Sequence, residues 1–227
     1  MINNSEWKIG KRDQISDVCN RLYDRNYLVA SSGNVSIRSK DGFLITPASM
    51  RKDLITANDV VECDNSGKPL ESDKHPSSEI EMHKAVYKYR PDIGAAIHAH
   101  PNYCLACSLA EISLTDMHLP ELVVYIGPVP LVPYATPGTN EMSDALKPFI
   151  NDHNAFILTR HGVLVLGSDL MDAYNRLEHL EHMARVAYLV HSTGKVEPLS
   201  KIELKKLVDH AKELGQNISK KLTDFLE

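Results

Sequence analysis

Long apolar runs are missing from this 227-residue sequence. No window offers the roughly 18 continuous apolar residues of a membrane span, and Met1-Ile-Asn-Asn-Ser-Glu-Trp-Lys8 carries no apolar leader segment, so a membrane role is excluded and a cytoplasmic location is expected. Cysteine is scarce: Cys19, Cys63, Cys104 and Cys107 are too few and too scattered for a disulfide framework. Positive charge is not in excess either. The 25 Lys and Arg stand against 30 Asp and Glu, mixed along the chain, which excludes the basic footprint of a nucleic-acid binder. A small phosphorylated molecule, which needs only a local anion pocket, stays admissible. No linker rich in Pro, Gly or Ser, no repeat and no low-complexity tract divides the chain, so residues 1–227 are read as one domain.

Alternating element signals fill that length. Ile15, Val18, Leu22 and Arg25 recur at helical spacing over 13–25, with Asp13 in position to cap the start. Leu28 to Arg38 reads as a strand interrupted by Ser-Ser-Gly-Asn, where Gly33 leaves amides open to an anion. Lys40-Asp-Gly42 predicts a hairpin returning through Phe43–Thr46, and Val60–Cys63 with Asp64-Asn-Ser-Gly67 predicts another. A helix is expected from Pro76 to about Arg90, with Ser78 and Glu81 at capping-box spacing. Ile93 to His100 reads as a buried strand entering a helix at Pro101.

Farther along, Leu122–Ile126 and Val129–Val132 are strand-like, Asn140–Ile150 helical, and Ala155–Thr159 and Val163–Gly167 two apolar strands around Arg160-His161-Gly162. A long helix follows from Asp169 to Ser192, with Gly194 as its stop. The last, about 200–226, opens with a Ser200/Glu203 capping box and a Leu199/Leu204 staple and carries Leu207, Ala211, Leu214 and Ile218. Strands interleaved with helices and joined by turns predict an α/β domain of α+β layering, with a mainly antiparallel central sheet flanked by helices.

One stretch concentrates chemistry. In Ala96-Ile-His-Ala-His-Pro101, His98 and His100 point to the same side of a strand, because strand side chains alternate with period two. A third imidazole, such as His161 at its tight glycine turn, would complete a metal clamp with open positions. Taken alone, His-x-His more often means surface or hydrogen-bonded core histidines. Gly33, Asn34, Ser77 and Ser78, with the Thr46-Pro-Ala-Ser49 turn, could wall an anion pocket, although such pairs are also ordinary turn and cap chemistry. Glu79 is the candidate acid/base carboxylate; locally it could equally just favour the first turn of its helix. Cys104-x-x-Cys107 reads as buried small side chains, and Glu178, His179 and His182 as a solvated helix face.

Six segments, Ser32-Gly-Asn-Val-Ser-Ile-Arg38, Leu44-Ile-Thr-Pro47, Pro76-Ser-Ser-Glu79, Ile97-His-Ala-His100, Tyr134-Ala-Thr-Pro-Gly-Thr139 and Arg160-His-Gly162, resemble in this order the class II aldolase and adducin-head family, which includes L-fuculose-1-phosphate aldolases and L-ribulose-5-phosphate 4-epimerases. The resemblance implies a three-layer domain around an antiparallel sheet, assembled as a homotetramer with sites at subunit interfaces. It implies His98, His100 and His161 as ligands of one Zn²⁺ per chain, and Glu79 as the acid/base. It also implies a phosphate pocket of Gly33, Asn34, Ser77 and Ser78, to which Ser31 and Ser49 add. The reaction implied is reversible cleavage of a ketose 1-phosphate, L-fuculose-like or 5-deoxypentulose-like, to dihydroxyacetone phosphate and an aldehyde through a metal-stabilised enediolate.

Family members that dehydrate 5-methylthioribulose 1-phosphate, pentulose-5-phosphate 4-epimerases and adducin-like interaction domains are the alternatives. The sequence departs from the fuculose enzyme where Ala48-Ser49 replaces Thr-Gly, where Pro137 replaces an aromatic residue, and near His118-Leu119 and Leu214, where that enzyme has tyrosines. The first bears on backbone approach to the phosphate, the missing tyrosines on the aldehyde-side proton donors, and together they leave the aldehyde half of the substrate open.

Overall fold

A computed structural model describes residues 10–114, 119–191, 193–194, 197–213, 222, 223 and 226. Its centre is a seven-stranded sheet built from β1 (Asn34–Arg38), β2 (Gly42–Ile45), β3 (Val61–Asp64), β4 (Ala95–Ala99), β5 (Leu131–Val132), β6 (Ala155–Leu158) and β7 (Gly162–Gly167), in the order β3-β2-β1-β4-β7-β6-β5. Every neighbouring pair is antiparallel except β5 with β6. The mixed α/β layering with a mainly antiparallel sheet is thus as the sequence predicts.

Helices cover both faces. On one lie α1 (Lys11–Asp24), α3 (Asn102–Leu109) and α6 (Leu170–His191), whose Val18, Leu22, Cys104, Leu177 and Leu180 pack with Ile97, Ala99, Ile157, Val163 and Val165. On the other, α2 (Ile80–Tyr89) and α5 (Asn140–Leu146) bring Met82, Val86, Met142 and Leu146 against Ala96, Phe156, Leu158, Leu164 and Leu166. Successive strand residues therefore enter opposite cores. This is why β6 and β7, and β4 apart from His98, read in sequence as continuous apolar runs and not as alternations. It also sends His98, which shares the parity of Ala96 and pairs with Leu164, to the face that α2 covers.

Several boundaries differ from the sequence expectation, each for a local reason. Leu122–Ile126 is not a strand: Pro120 opens α4 (Pro120–Tyr125), and Val123 on it packs with Leu204 and Val208 of α7 (Lys201–Glu213). A short apolar run does not reveal its own period, and tertiary packing chose the helix. Helix α5 stops at Leu146 instead of Ile150; Lys147 still holds helical angles, but Pro148 has no N–H to continue the hydrogen-bond ladder.

The strand at 28–38 begins only at Asn34; Ala30 and Gly33 both take positive φ, 51° and 75°, and turn the chain instead. Helix α1 is preceded by Gly10, so Asp13 lies in its first turn and does not cap it. The Ser78/Glu81 capping box does not form: Ser77 accepts from the Glu79 amide at 3.3 Å, and Glu81 pairs with Lys84 at 2.7 Å. The Ser200/Glu203 box does form, with the Glu203 carboxylate accepting from both the amide and the hydroxyl of Ser200. Ser192, Leu214, Ile218 and His118 lie outside the described residues.

The sheet's contribution to stability is testable at Phe156, fully buried in β6 between α5 and β7. Phe156→Ala leaves a cavity in that layer and should lower the unfolding free energy by about 3–5 kcal/mol in denaturant titration.

Candidate active site

The end of β4, the β6–β7 turn and the start of α2 meet at one point. His98 is the penultimate residue of β4, His100 follows just beyond it, and His161 sits in the turn between β6 and β7. Ring centroids lie 4.8 Å apart for His98 and His100, 4.6 Å for His98 and His161, and 5.2 Å for His100 and His161. Gly162 makes this crowding possible: a Cβ there would stand 2.4 Å from the Ala99 carbonyl oxygen and 2.6 Å from His100 Cδ2. Arg160 takes a left-handed φ of 59° before it, and its amide donates to the Ser108 hydroxyl at 3.0 Å.

Hydrogen bonding sets the tautomers. Nδ1 of His98 donates to the Val163 carbonyl at 2.8 Å, which leaves the Nε2 lone pair facing inward. That Nε2 lies 3.0 Å from His100 Nε2 and 3.2 Å from Glu79 Oε2. Glu79 Oε1 approaches His161 Nε2 to 3.1 Å without hydrogen-bond geometry and has no hydrogen-bond partner, although it is buried. Burial, reinforced by the other two imidazoles, pushes His100 down to about 3, so its ring is neutral. Burial alone would raise the Glu79 carboxyl, but the facing His98 and His161 outweigh it and hold the group below the usual carboxylate range.

Converging imidazole nitrogens beside an unsatisfied carboxylate oxygen are what a cation requires. The three histidines offer ligand atoms all within 4.8 Å of one another. This donor set fits a divalent transition metal with open positions.

Beside the triad opens a cleft of about 480 Å³. Ser31, Gly33, Ser49, Ser77 and Ser78 line it, together with Glu79, His100 and His161. Gly33 is required where it stands, since a Cβ would lie 2.8 Å from the His98 carbonyl oxygen. Ser49 holds a left-handed φ of 57°, so its backbone adopts a glycine-like geometry despite the side chain. Asn34 also borders the cleft, but both ends of its amide are committed: Nδ2 donates to Glu79 Oε2 at 2.8 Å, and Oδ1 accepts from His83 Nε2 at 2.5 Å.

Two residues of this region were not legible as site residues. Lys52 lines the cleft yet is 1% exposed, with Nζ donating to the carbonyls of Ser31 at 2.8 Å and Met50 at 2.9 Å; burial lowers its pKa. In sequence, Arg51-Lys52 is an ordinary surface pair. His83 is wholly buried on α2 and reads there as one more polar helix position. The remaining candidates are structural. Cys104 and Cys107 are buried free thiols, Glu178 pairs with Arg25 at 2.5 Å, and His179 stacks on Tyr125 at 5.1 Å.

Residues 13–188 match the family model described as Class II Aldolase and Adducin N-terminal domain. The chain belongs to the class II aldolase and adducin family. It is 33% identical over 178 residues to an L-fuculose phosphate aldolase of Methanococcus vannielii, covering 78% of this chain and 96% of that one. It is 32% identical to a 3-oxo-tetronate 4-phosphate decarboxylase of Haemophilus influenzae, over 84% of this chain and 92% of the relative. A solved L-fuculose 1-phosphate aldolase superposes with a TM-score of 0.80 at 26% identity, over 88% and 95% of the two chains. The protein is an enzyme of the class II aldolase type, a lyase, and class II aldolases are metal-dependent.

The buried His83 gives this aldolase-family fold a pH-dependent stability. Burial, aided by His98, pushes His83 from 6.5 down to about 3. Its contribution is complete above about pH 6.5 and drains away as pH falls toward about 3, because the unfolded chain takes up the proton first. Denaturant unfolding at pH 7 and pH 4 should show wild type losing roughly 3 kcal/mol more than His83→Gln, whose side chain does not titrate. Equal losses would refute this.

Proposed function

We propose that the protein is a zinc-dependent aldolase that reversibly cleaves a ketose 1-phosphate to dihydroxyacetone phosphate and an aldehyde. The observation that carries this reading is Glu79 Oε1, buried, without a hydrogen bond, and set between the histidine triad and the wall of the cleft. Zinc held by His98, His100 and His161 would supply the Lewis acid that draws charge from the substrate carbonyl and lowers the cost of an adjacent carbanion.

The chain's own residues do the rest. Hydroxyls of Ser77 and Ser78, backbone amides around Gly33, and Ser31 and Ser49 suit a phosphate, and the Lys52 charge beneath them offsets its negative charge. Anchoring that phosphate orients the ketose so that its reactive carbon faces Glu79. In cleavage, the hydroxyl on the aldehyde side gives its proton to solvent as its O–H electrons form the aldehyde carbonyl and the carbon–carbon bond breaks. The electron pair of that bond passes to the donor carbon as an enediolate, and Glu79 takes up a proton from solvent and delivers it to that carbon. In synthesis Glu79 removes the same proton. Exposed apolar side chains, among them Leu54, Leu109 and Tyr134, support assembly as a homotetramer.

The decarboxylase relative motivates a second reading. Loss of carbon dioxide from a 3-oxo acid phosphate also leaves an enediolate for Glu79 to protonate, but requires no group to take a proton from a departing aldehyde. Pro137, where the fuculose enzyme has an aromatic residue, lines this cleft and favours such a substrate.

Purified protein should contain about one zinc per chain by metal analysis and lose activity to a chelator; chelator-resistant turnover would sink the mechanism. Glu79→Gln should lower deuterium exchange into dihydroxyacetone phosphate at least about a hundredfold while zinc stays bound, and undiminished exchange would remove Glu79 from the base role. A panel of ketose 1-phosphates, 5-methylthioribulose 1-phosphate, pentulose 5-phosphates and 3-oxo-tetronate 4-phosphate, assayed separately for aldehyde, dehydration, epimerisation and carbon dioxide, decides among the reactions.

A further inference from the structure

Four polar side chains lie inside the otherwise apolar layer between β1 and α2: Asn34 (1% exposed), Ser36 (0%), His83 (0%) and Tyr87 (7%). Asn34 and Ser36 alternate on one face of β1, and His83 and Tyr87 stand one helical turn apart on α2. Burying this many polar groups is costly unless each is satisfied, and apolar residues of similar volume would pack there without that demand. Their arrangement is fully connected. Tyr87 OH is 2.7 Å from Ser36 Oγ, Ser36 Oγ is 2.6 Å from His83 Nδ1, His83 Nε2 is 2.5 Å from Asn34 Oδ1, and Asn34 Nδ2 is 2.8 Å from Glu79 Oε2.

Chemistry assigns the protons along this row. The Glu79 carboxylate only accepts, so Asn34 must present its NH₂ to it and its oxygen to His83. An amide oxygen cannot donate, so His83 Nε2 carries hydrogen. The ring is buried and neutral, which makes Nδ1 an acceptor for the Ser36 hydroxyl; Ser36 in turn accepts from Tyr87. Every link runs toward Glu79, and reversing any one would set two donors or two acceptors face to face. The row ends on Oε2 and leaves Oε1 without a hydrogen bond.

We propose that His83 is a positioning residue: the one-way chain Tyr87–Ser36–His83–Asn34 locks Glu79 through Oε2 and reserves Oε1 for proton transfer. The inference rests on the proposed role of Glu79 as the base. His83 does not itself line the cleft and reaches it only through Asn34, whose side-chain amide is already committed, so its effect falls on turnover and not on substrate or metal binding.

Deuterium exchange into dihydroxyacetone phosphate by the zinc-loaded enzyme, followed by proton NMR, tests it. His83→Leu should slow exchange at saturation by about tenfold to a hundredfold, with zinc content and apparent KM within about twofold of wild type. His83→Gln, which keeps an N–H for Asn34 Oδ1, should recover to within about threefold of wild type. If His83→Leu does not fold, Ser36→Ala decides, with a fall of about threefold or more at unchanged KM as the supporting result. Exchange at wild-type rate in the folded His83→Leu enzyme, or in Ser36→Ala, overturns the proposal while leaving the aldolase reading intact. Absence of exchange in wild type overturns both.

Discussion

The hydrogen bond from His98 Nδ1 to the Val163 carbonyl ties the middle of the sheet to its chemistry. It can form only because β4 and β7 pair antiparallel in a register that sets His98 opposite Leu164. It fixes the ring so that Nε2, fully shielded from solvent, points at Glu79 and His100. Any slip of one residue would send His98 to the α6 face and leave an isoleucine or alanine in its place. Register, tautomer and site are thus one constraint, and the extensive apolar burial on both faces of the sheet is what holds that register rigid.

The two faces divide labour. Beneath α1, α3 and α6 the core is apolar throughout the strand positions that enter it, and it serves stability. Beneath α2 the apolar layer is interrupted along the helix by Asn34, Ser36, His83 and Tyr87, a row that leads to Glu79 at the helix start. A helix start is also where Glu79, Ser77 and Ser78 cluster beside the Gly33 turn, so the carboxylate and the anion-suited groups arrive together. Glu79 is therefore surrounded by three kinds of neighbour: imidazoles that lower its proton affinity, an amide that orients it, and a cleft that lets a substrate reach it.

Much of this was legible beforehand. Strong patterns survived folding: α6 with its long apolar stripe, β4, β6 and β7 as apolar runs, and the Ser200/Glu203 capping box. Weak or composite signals did not. Leu122–Ile126 has too few residues to display a period, and its helical state comes from packing against α7. Ser78 and Glu81 have the right spacing for a cap, yet the first turn of α2 begins one residue later than that spacing supposes, with Glu79 turned into the site. The Gly-Asn turn did not reveal that the Asn34 side-chain amide donates to Glu79 and accepts from His83.

The sequence by itself determined the layered α/β class, the closeness of His98 to His100 at a strand end, and the family, because those depend on residue type, period and motif order. Only tertiary structure decided that His161 closes within 5.2 Å of both, that Lys52 is buried under the cleft, and that His83 reaches Glu79 through Asn34. The physical reason is distance along the chain. His83 and Asn34 are 49 residues apart and His98 and Val163 are 65 apart. No local propensity records which remote polar group will be left to satisfy a buried one.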